Sequence, residues 1–315
     1  MLLTPNIITN LLLESIFLFL SLIAFFISIK IIKNWDIQRD DAIQFNLQKK
    51  SYLFSLIVKY ILTFKILLLL FFVYTLDDLS NIINGAMCGV GVLDASSYGI
   101  YLMLLKIIDV YLFSFWLVVN RYDFNHPYMP YMKQKALFFI FIFFVLIAEY
   151  ILEVLYFLDI NPQEVVDCCG VIFSASKTTL LSSFLSLETY KIYTSFYVVV
   201  LLLVLSFYFK QRYLYAIFSA LFIVIALLSL IGYFGTYIYE LPTHHCPFCL
   251  LQKDYNFIGY ILYAVLFVAT FNGMVLALFE DKKRFKISVV FVLIYTALVS
   301  FYPLFYFYKN GVWLY

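Results

Sequence analysis

The stretch ALFFIFIFFVLIAEYILEVLYFL, residues 136–158, decides the fold. It contains no Pro or Gly, and at 1.5 Å per residue a helix of this length crosses the ~30 Å hydrocarbon core of a bilayer. Its only charges are Glu149 and Glu153, one helical turn apart. A helix on the surface of a water-soluble domain would carry a polar face along its whole length, and this one does not.

Working outward, comparable apolar runs lie near 11–32, 53–76, 98–119, 191–209, 214–236, 256–279 and 287–308. With 65% of all residues hydrophobic and 13% charged, no stretch between the runs can build a separate water-soluble core. The pattern predicts an all-α polytopic membrane bundle of about eight transmembrane helices, with residues 1–315 as a single integral membrane domain in contact with the lipid bilayer. The 36 Phe and 28 Tyr suit a lipid-facing surface with interfacial anchors. Met1 to Asn10 lacks the basic start and small-residue cleavage site of a secretory signal, so the first run is expected to remain as helix one. The mixed-charge segment from Asp36 to Lys50 reads as a solvated connection.

Loop charge sets the expected orientation. One alternating set of loops holds Lys30, Lys33, Arg39, Lys49 and Lys50; Arg121, Lys133 and Lys135; Lys210 and Arg212; and Lys282, Lys283, Arg284 and Lys286. The opposite set holds only Lys177, Lys191, Lys253 and Lys309. Short cytoplasmic loops retain positive charge, so both termini are expected on the extracytoplasmic side of an inner (plasma) membrane. The basic residues form no continuous domain, which argues against a nucleic-acid partner.

That orientation puts every cysteine outside: Cys88 in the loop near 77–97, Cys168 and Cys169 near 159–190, and Cys246 and Cys249 near 237–255. Cysteines serving as small core hydrophobes would scatter through the spans, so their confinement to oxidising loops points to thiol chemistry, disulfides or metal. Adjacent Cys168 and Cys169 close a mutual disulfide only through a strained ring, which leaves Cys88 as the expected partner of one or the other. An odd count leaves at least one thiol for exchange.

The sharpest local signal is Thr243-His244-His245-Cys246-Pro247-Phe248-Cys249-Leu250-Leu251-Gln252-Lys253, expected just before the seventh span. Two cysteines separated by two residues can close a small redox-active ring, and a helix N-terminus favours the thiolate. Cys-Pro-Phe-Cys-Leu-Leu-Gln resembles the quinone-reducing motif of the bacterial disulfide bond formation protein B family, which shares a four-helix redox core with vitamin K epoxide reductase. The resemblance is confined to this motif. It implies that Cys246 and Cys249 pass electrons from an extracytoplasmic thiol protein to a membrane quinone, with Gln252, Lys253 and His245 near the cofactor. The family usually has Arg where this chain has Lys253, and Lys lacks the planar fork of donors.

A second constellation is the set of charges inside the spans: Lys59 and Lys65, then Lys106 and Asp109, then Glu149 and Glu153. Such groups are costly in hydrocarbon and are expected to face the bundle interior. Lys65, Lys106 and Glu149 fall at similar depth, which predicts a buried network linking the second, third and fourth spans, either as a proton path or as glue between helices.

Two other functions compete with a quinone-linked thiol oxidoreductase. A non-catalytic membrane subunit or anchor would use outer-loop disulfides as static braces. A metal-handling or transport protein would use His244, His245, Cys246 and Cys249 as soft ligands.

Overall fold

A computed structural model describes residues 4–36, 41–126, 129–161, 165–166 and 189–315. Among the described residues the secondary structure is helical, with no strand, and eight helices are long and apolar enough to cross a membrane. The chain is a multi-pass membrane protein. It divides into two compact units, Met1–Val166 and Asp167–Tyr315.

The first unit is a ring of four long helices: α1 (Pro5–Asn34), α2 (Ala42–Ser80), α4 (Gly99–Phe124) and α5 (Met132–Asp159), with a short α3 (Gly89–Asp94) between α2 and α4. Helix α1 packs on α2 and α5, and α4 packs on the same two. Pro5 opens α1, where its missing N–H costs nothing. Asp41 caps α2 by accepting from Gln44 N at 2.9 Å. That cap corrects one expectation: residues 42–50 are the first turns of α2 and not a connection. At 39 residues the helix is about 58 Å long, well beyond the apolar core of a bilayer.

The α4–α5 turn is pinned by a buried charge pair. Lys135 Nζ lies 2.7 Å from Asp123 Oδ2 and donates to Asn120 Oδ1 at 3.1 Å, while Asp123 Oδ1 accepts from Tyr131 N at 2.8 Å. Trp116 Nε1 donates to the Lys135 carbonyl at 3.0 Å. Above this turn sits an aromatic core in which Phe54 meets Trp116 and Phe139 edge-on, at 6.1 and 5.3 Å.

The second unit is another ring: α6 (Thr189–Tyr208), α7 (Arg212–Ser229), α9 (Ile258–Val275) and α10 (Lys282–Asn310), each packed on the next and α10 on α6. Helix α7 continues through a π turn, Leu230–Phe234, into α8 (Gly235–Tyr239). Helices α7, α9 and α10 meet at small residues. The Ser288 hydroxyl donates to the Ala269 carbonyl at 2.6 Å and accepts from Tyr215 at 2.8 Å, while Ser219 donates to the Tyr215 carbonyl. Asp281 caps α10, and Gly311, at φ +74°, ends it in the left-handed conformation.

Candidate functional site

Two places in the fold gather chemistry, one in each unit. In the second unit, the chain between α8 and α9 carries the Cys-Pro-Phe-Cys motif. Glu240, just past α8, takes a left-handed backbone and is tied to α10 by Lys309 Nζ at 2.8 Å. The Cys246 and Cys249 sulfurs lie within 4.8 Å of one another, and both residues are buried, at 2% and 5% exposure. Two tyrosines beside both cysteines clamp the backbone of the motif. Tyr239 donates to the Cys246 carbonyl and Tyr263 to the Pro247 carbonyl, the latter at 2.7 Å.

The local geometry differs from a motif seated on a helix N-terminus. Cys249 begins a single 3-10 turn, Cys249–Leu251, and a second such turn, Lys253–Tyr255, follows it. Asn256 and Phe257 then adopt left-handed backbone, so α9 starts only at Ile258 and neither cysteine belongs to its first turn. Instead the turn rests on α9. A Cβ on Gly259 would come within 2.9 Å of the Leu250 carbonyl carbon and Cβ and of Leu251 Cδ2. Gly259→Val is therefore expected to push the Cys249 turn off the helix and to make both thiols react faster with a water-soluble alkylating reagent. An unchanged rate would mean that the turn yields without exposing the sulfurs.

The two histidines precede the cysteine pair, and His244 Nε2 is buried without a hydrogen-bond partner. His245 Nδ1 lies 2.9 Å from the Ile231 carbonyl in the π turn, which requires the proton on Nδ1, and His244 stands edge-on to the Tyr239 ring at 4.5 Å. Gln252 is half-buried and Lys253 is exposed on the second turn.

In the first unit, four helices each place a charge at one level. Lys65 Nζ lies 2.7 and 2.5 Å from the two oxygens of Glu14 and 2.5 Å from Glu149 Oε2. Lys106 Nζ lies 2.7 Å from Glu149 Oε1, 2.7 Å from Glu153 Oε2 and 3.4 Å from Glu14 Oε1, and it caps the face of Phe72 at 4.7 Å. Glu149 thus gives one oxygen to each ammonium, and the cluster ties α1, α2, α4 and α5 together. Asp109 is buried alongside, and Glu149 is the charged group acting on it most strongly.

Lys65, Lys106, Asp109, Glu149 and Glu153 therefore come together, and Lys59 does not: it is exposed on the outer face of α2. Glu14 is the member that sequence reasoning missed. The signal for it is that it is the one charged residue between Met1 and Ile29. Cys88 is the residue that precedes α3, without a side-chain cap bond, and it is buried. Cys168 and Cys169, with the pairing expected for them, lie outside the described residues. No family model, curated protein or solved structure matches the chain.

Proposed function

We propose that this protein is a membrane thiol-disulfide oxidoreductase in which Cys246 and Cys249 take electrons from an extracytoplasmic thiol protein and pass them to a quinone. The observation carrying this reading is the close approach of two sulfurs on a tyrosine-clamped turn at the end of membrane-crossing helices. That is the level at which a water-side dithiol and a lipid-soluble acceptor meet. A further support is that the motif lies in a unit with four long helices of its own, matching the helix number of the redox core it resembles.

The balance is simple. The Cys246–Cys249 disulfide breaks as the partner's two thiols become a disulfide, which leaves two thiols here. Those thiols then return two electrons and two protons to the quinone, giving quinol and re-forming the disulfide. In this reading Gln252 and Lys253 face the quinone oxygen, with Lys253 offering a point charge where Arg would offer a fork. His245 orders the loop through Ile231. Cys88, Cys168 and Cys169 would supply the partner-facing exchange, Cys88 only after its surroundings open. The orientation follows the loop charges, with both termini and all cysteines extracytoplasmic.

The burial of both sulfurs favours the competing reading of a static brace, and one assay separates the two. Purified protein given a reduced extracytoplasmic-type dithiol should reduce an added ubiquinone or menaquinone analogue. Cys246→Ser and Cys249→Ser should each abolish the reaction, and Lys253→Ala should raise the quinone concentration needed while leaving disulfide exchange with the dithiol intact. Wild-type protein that reduces no quinone, with the thiol state of both residues unmoved by every donor, makes the pair a brace and the chain a non-catalytic subunit.

A further inference from the structure

The charge cluster of the first unit is incomplete. It sets four carboxyls, Glu14, Asp109, Glu149 and Glu153, against two ammoniums, Lys65 and Lys106. If all were ionised, two negative charges would stand uncompensated in a setting where a single one is expensive. The shortfall falls on particular atoms. Asp109 is 1% exposed, yet neither of its carboxyl oxygens has a hydrogen-bond donor while the Glu149 carboxylate lies within reach, and it lines a cavity of about 10 Å³, room for about one water molecule. Lys65, Lys106 and Glu149 line the same cavity, so a metal cation placed there would face two ammoniums, whereas a proton would form a bond to the carboxyl itself.

The approaches to the cavity are unequal. Towards the end of the unit where α1 begins and α5 ends, polar groups recur along α1. Asn6 donates to Asp78 at 2.7 Å at the margin. One turn deeper, Asn10 is fully buried with both amide atoms unpartnered, and Glu14 follows one turn later. Along α5, Glu153 has Lys106 at 2.7 Å on one oxygen and no donor on the other, and Asp159 at the margin accepts from Ser96 at 2.8 Å. Towards the opposite end the buried side chains beyond the cluster are mainly large and apolar, Phe54 and Val58 on α2, Phe113 and Trp116 on α4, and Phe139 and Phe143 on α5, with only the small hydroxyls of Ser21, Ser55 and Ser114 among them and Ser21 bonded to its own helix.

We infer that the cavity beside Asp109 is an exchangeable proton site, loaded by water entering past Asn6 and Asn10 and closed to the opposite end by the aromatic core. A hydrated proton gives up its bond to water and forms an O–H bond on Asp109, which then donates to Glu149, and the water stays in the cavity as an ordinary neutral molecule. The charged groups facing Asp109 are Lys65 from α2, Lys106 on its own helix and Glu149 from α5, while Glu14 from α1 and Glu153 from α5 join them through the two ammoniums. About 15 Å of helix separates Asp109 from the start of α4, so the site lies near the middle of the bilayer. The inference does not rest on the cysteine chemistry, which belongs to the other unit, and either can fail without the other.

The test is infrared absorption of the whole protein in lipid nanodiscs, in H₂O and in D₂O. The C=O stretch of a protonated carboxylic acid should grow as pH falls, shift on exchange into D₂O, disappear in Asp109→Asn and move in position in Asp109→Glu. Its absence across the whole folded pH range, or its persistence unchanged in Asp109→Asn, overturns the site. If Asp109→Asn does not fold, the wild-type titration and the band shift in Asp109→Glu decide. Access is read separately, with the native cysteines replaced by Ser: a cysteine at Asn10 should react with a small charged thiol reagent at least tenfold faster than one at Ala24. Equal rates overturn the one-sided path.

Discussion

Glu149→Gln is expected to give the largest loss of stability of any single substitution in the charge cluster, about 3–5 kcal/mol, seen as a lower melting temperature of the detergent-solubilised protein. Glu149 gives each ammonium an oxygen of its own, at 2.5 and 2.7 Å, whereas Glu14, which also touches both, reaches Lys106 only at 3.4 Å. Neutral replacement of Glu149 leaves Lys65 with Glu14 alone and removes the closest equal partner of Lys106. The size of the loss distinguishes two accounts. A neutral hydrogen bond between membrane helices is worth about 0.6 kcal/mol, so a loss of that order would mean that Gln substitutes as ordinary glue. A stranded ammonium costs several times more. Glu153→Gln should cost less than Glu149→Gln, because Lys106 keeps Glu149 and Glu14. Melting of Glu149→Gln within error of wild type would show that the cluster does not hold the four helices together.

Gly273→Ala is expected to destabilise the second unit by about 1–3 kcal/mol or more, although it adds one methyl group to a helix and Ala is the better helix former. The reason is contact with α7. A Cβ at 273 would sit 2.0 Å from Ser219 Oγ and 2.8 Å from Ser219 Cβ, with Ser288 Oγ at 3.0 Å. Rotating the Ser219 hydroxyl relieves the first contact only, because its Cβ is fixed by the helix. The pair Gly273→Ala with Ser219→Gly should therefore recover much of the loss, as coupled neighbours do in a double-mutant cycle. Losses that simply add would mean that α7 and α9 separate instead of clashing. Small residues at a helix crossing are the usual means of close approach in membranes, where packing replaces the hydrophobic drive.

Much of the architecture was legible in the residues. Long apolar runs have one stable outcome in a bilayer, because a helix satisfies its own backbone, and the eight expected spans correspond to the eight long helices. The exceptions were at the ends. Helix α2 reaches back to Ala42 because a cap at Asp41 and polar but helix-favouring residues extend it beyond the hydrocarbon, which hydropathy does not register. The motif falls just before the seventh long helix, as spacing places it, while the left-handed residues Asn256 and Phe257 that separate it from that helix leave no trace in an apolar pattern.

The sequence by itself determined that the chain lives in a membrane as helices, and that charges at Lys65, Lys106, Asp109, Glu149 and Glu153 need partners there, because burial in hydrocarbon leaves charged groups no other stable arrangement. Only the tertiary structure decided which partners they take. Glu14 joins Lys65 from 51 positions away, Lys59 turns outward, and Asp109 is left facing a cavity beside Glu149. Helix periodicity says which residues share a face, but the rotation of each helix in its ring is set by packing across all four, by the aromatic core at one end and the Asp123–Lys135 pin beneath it. A contact between distant segments depends on those rotations together, and no local pattern of residues encodes them.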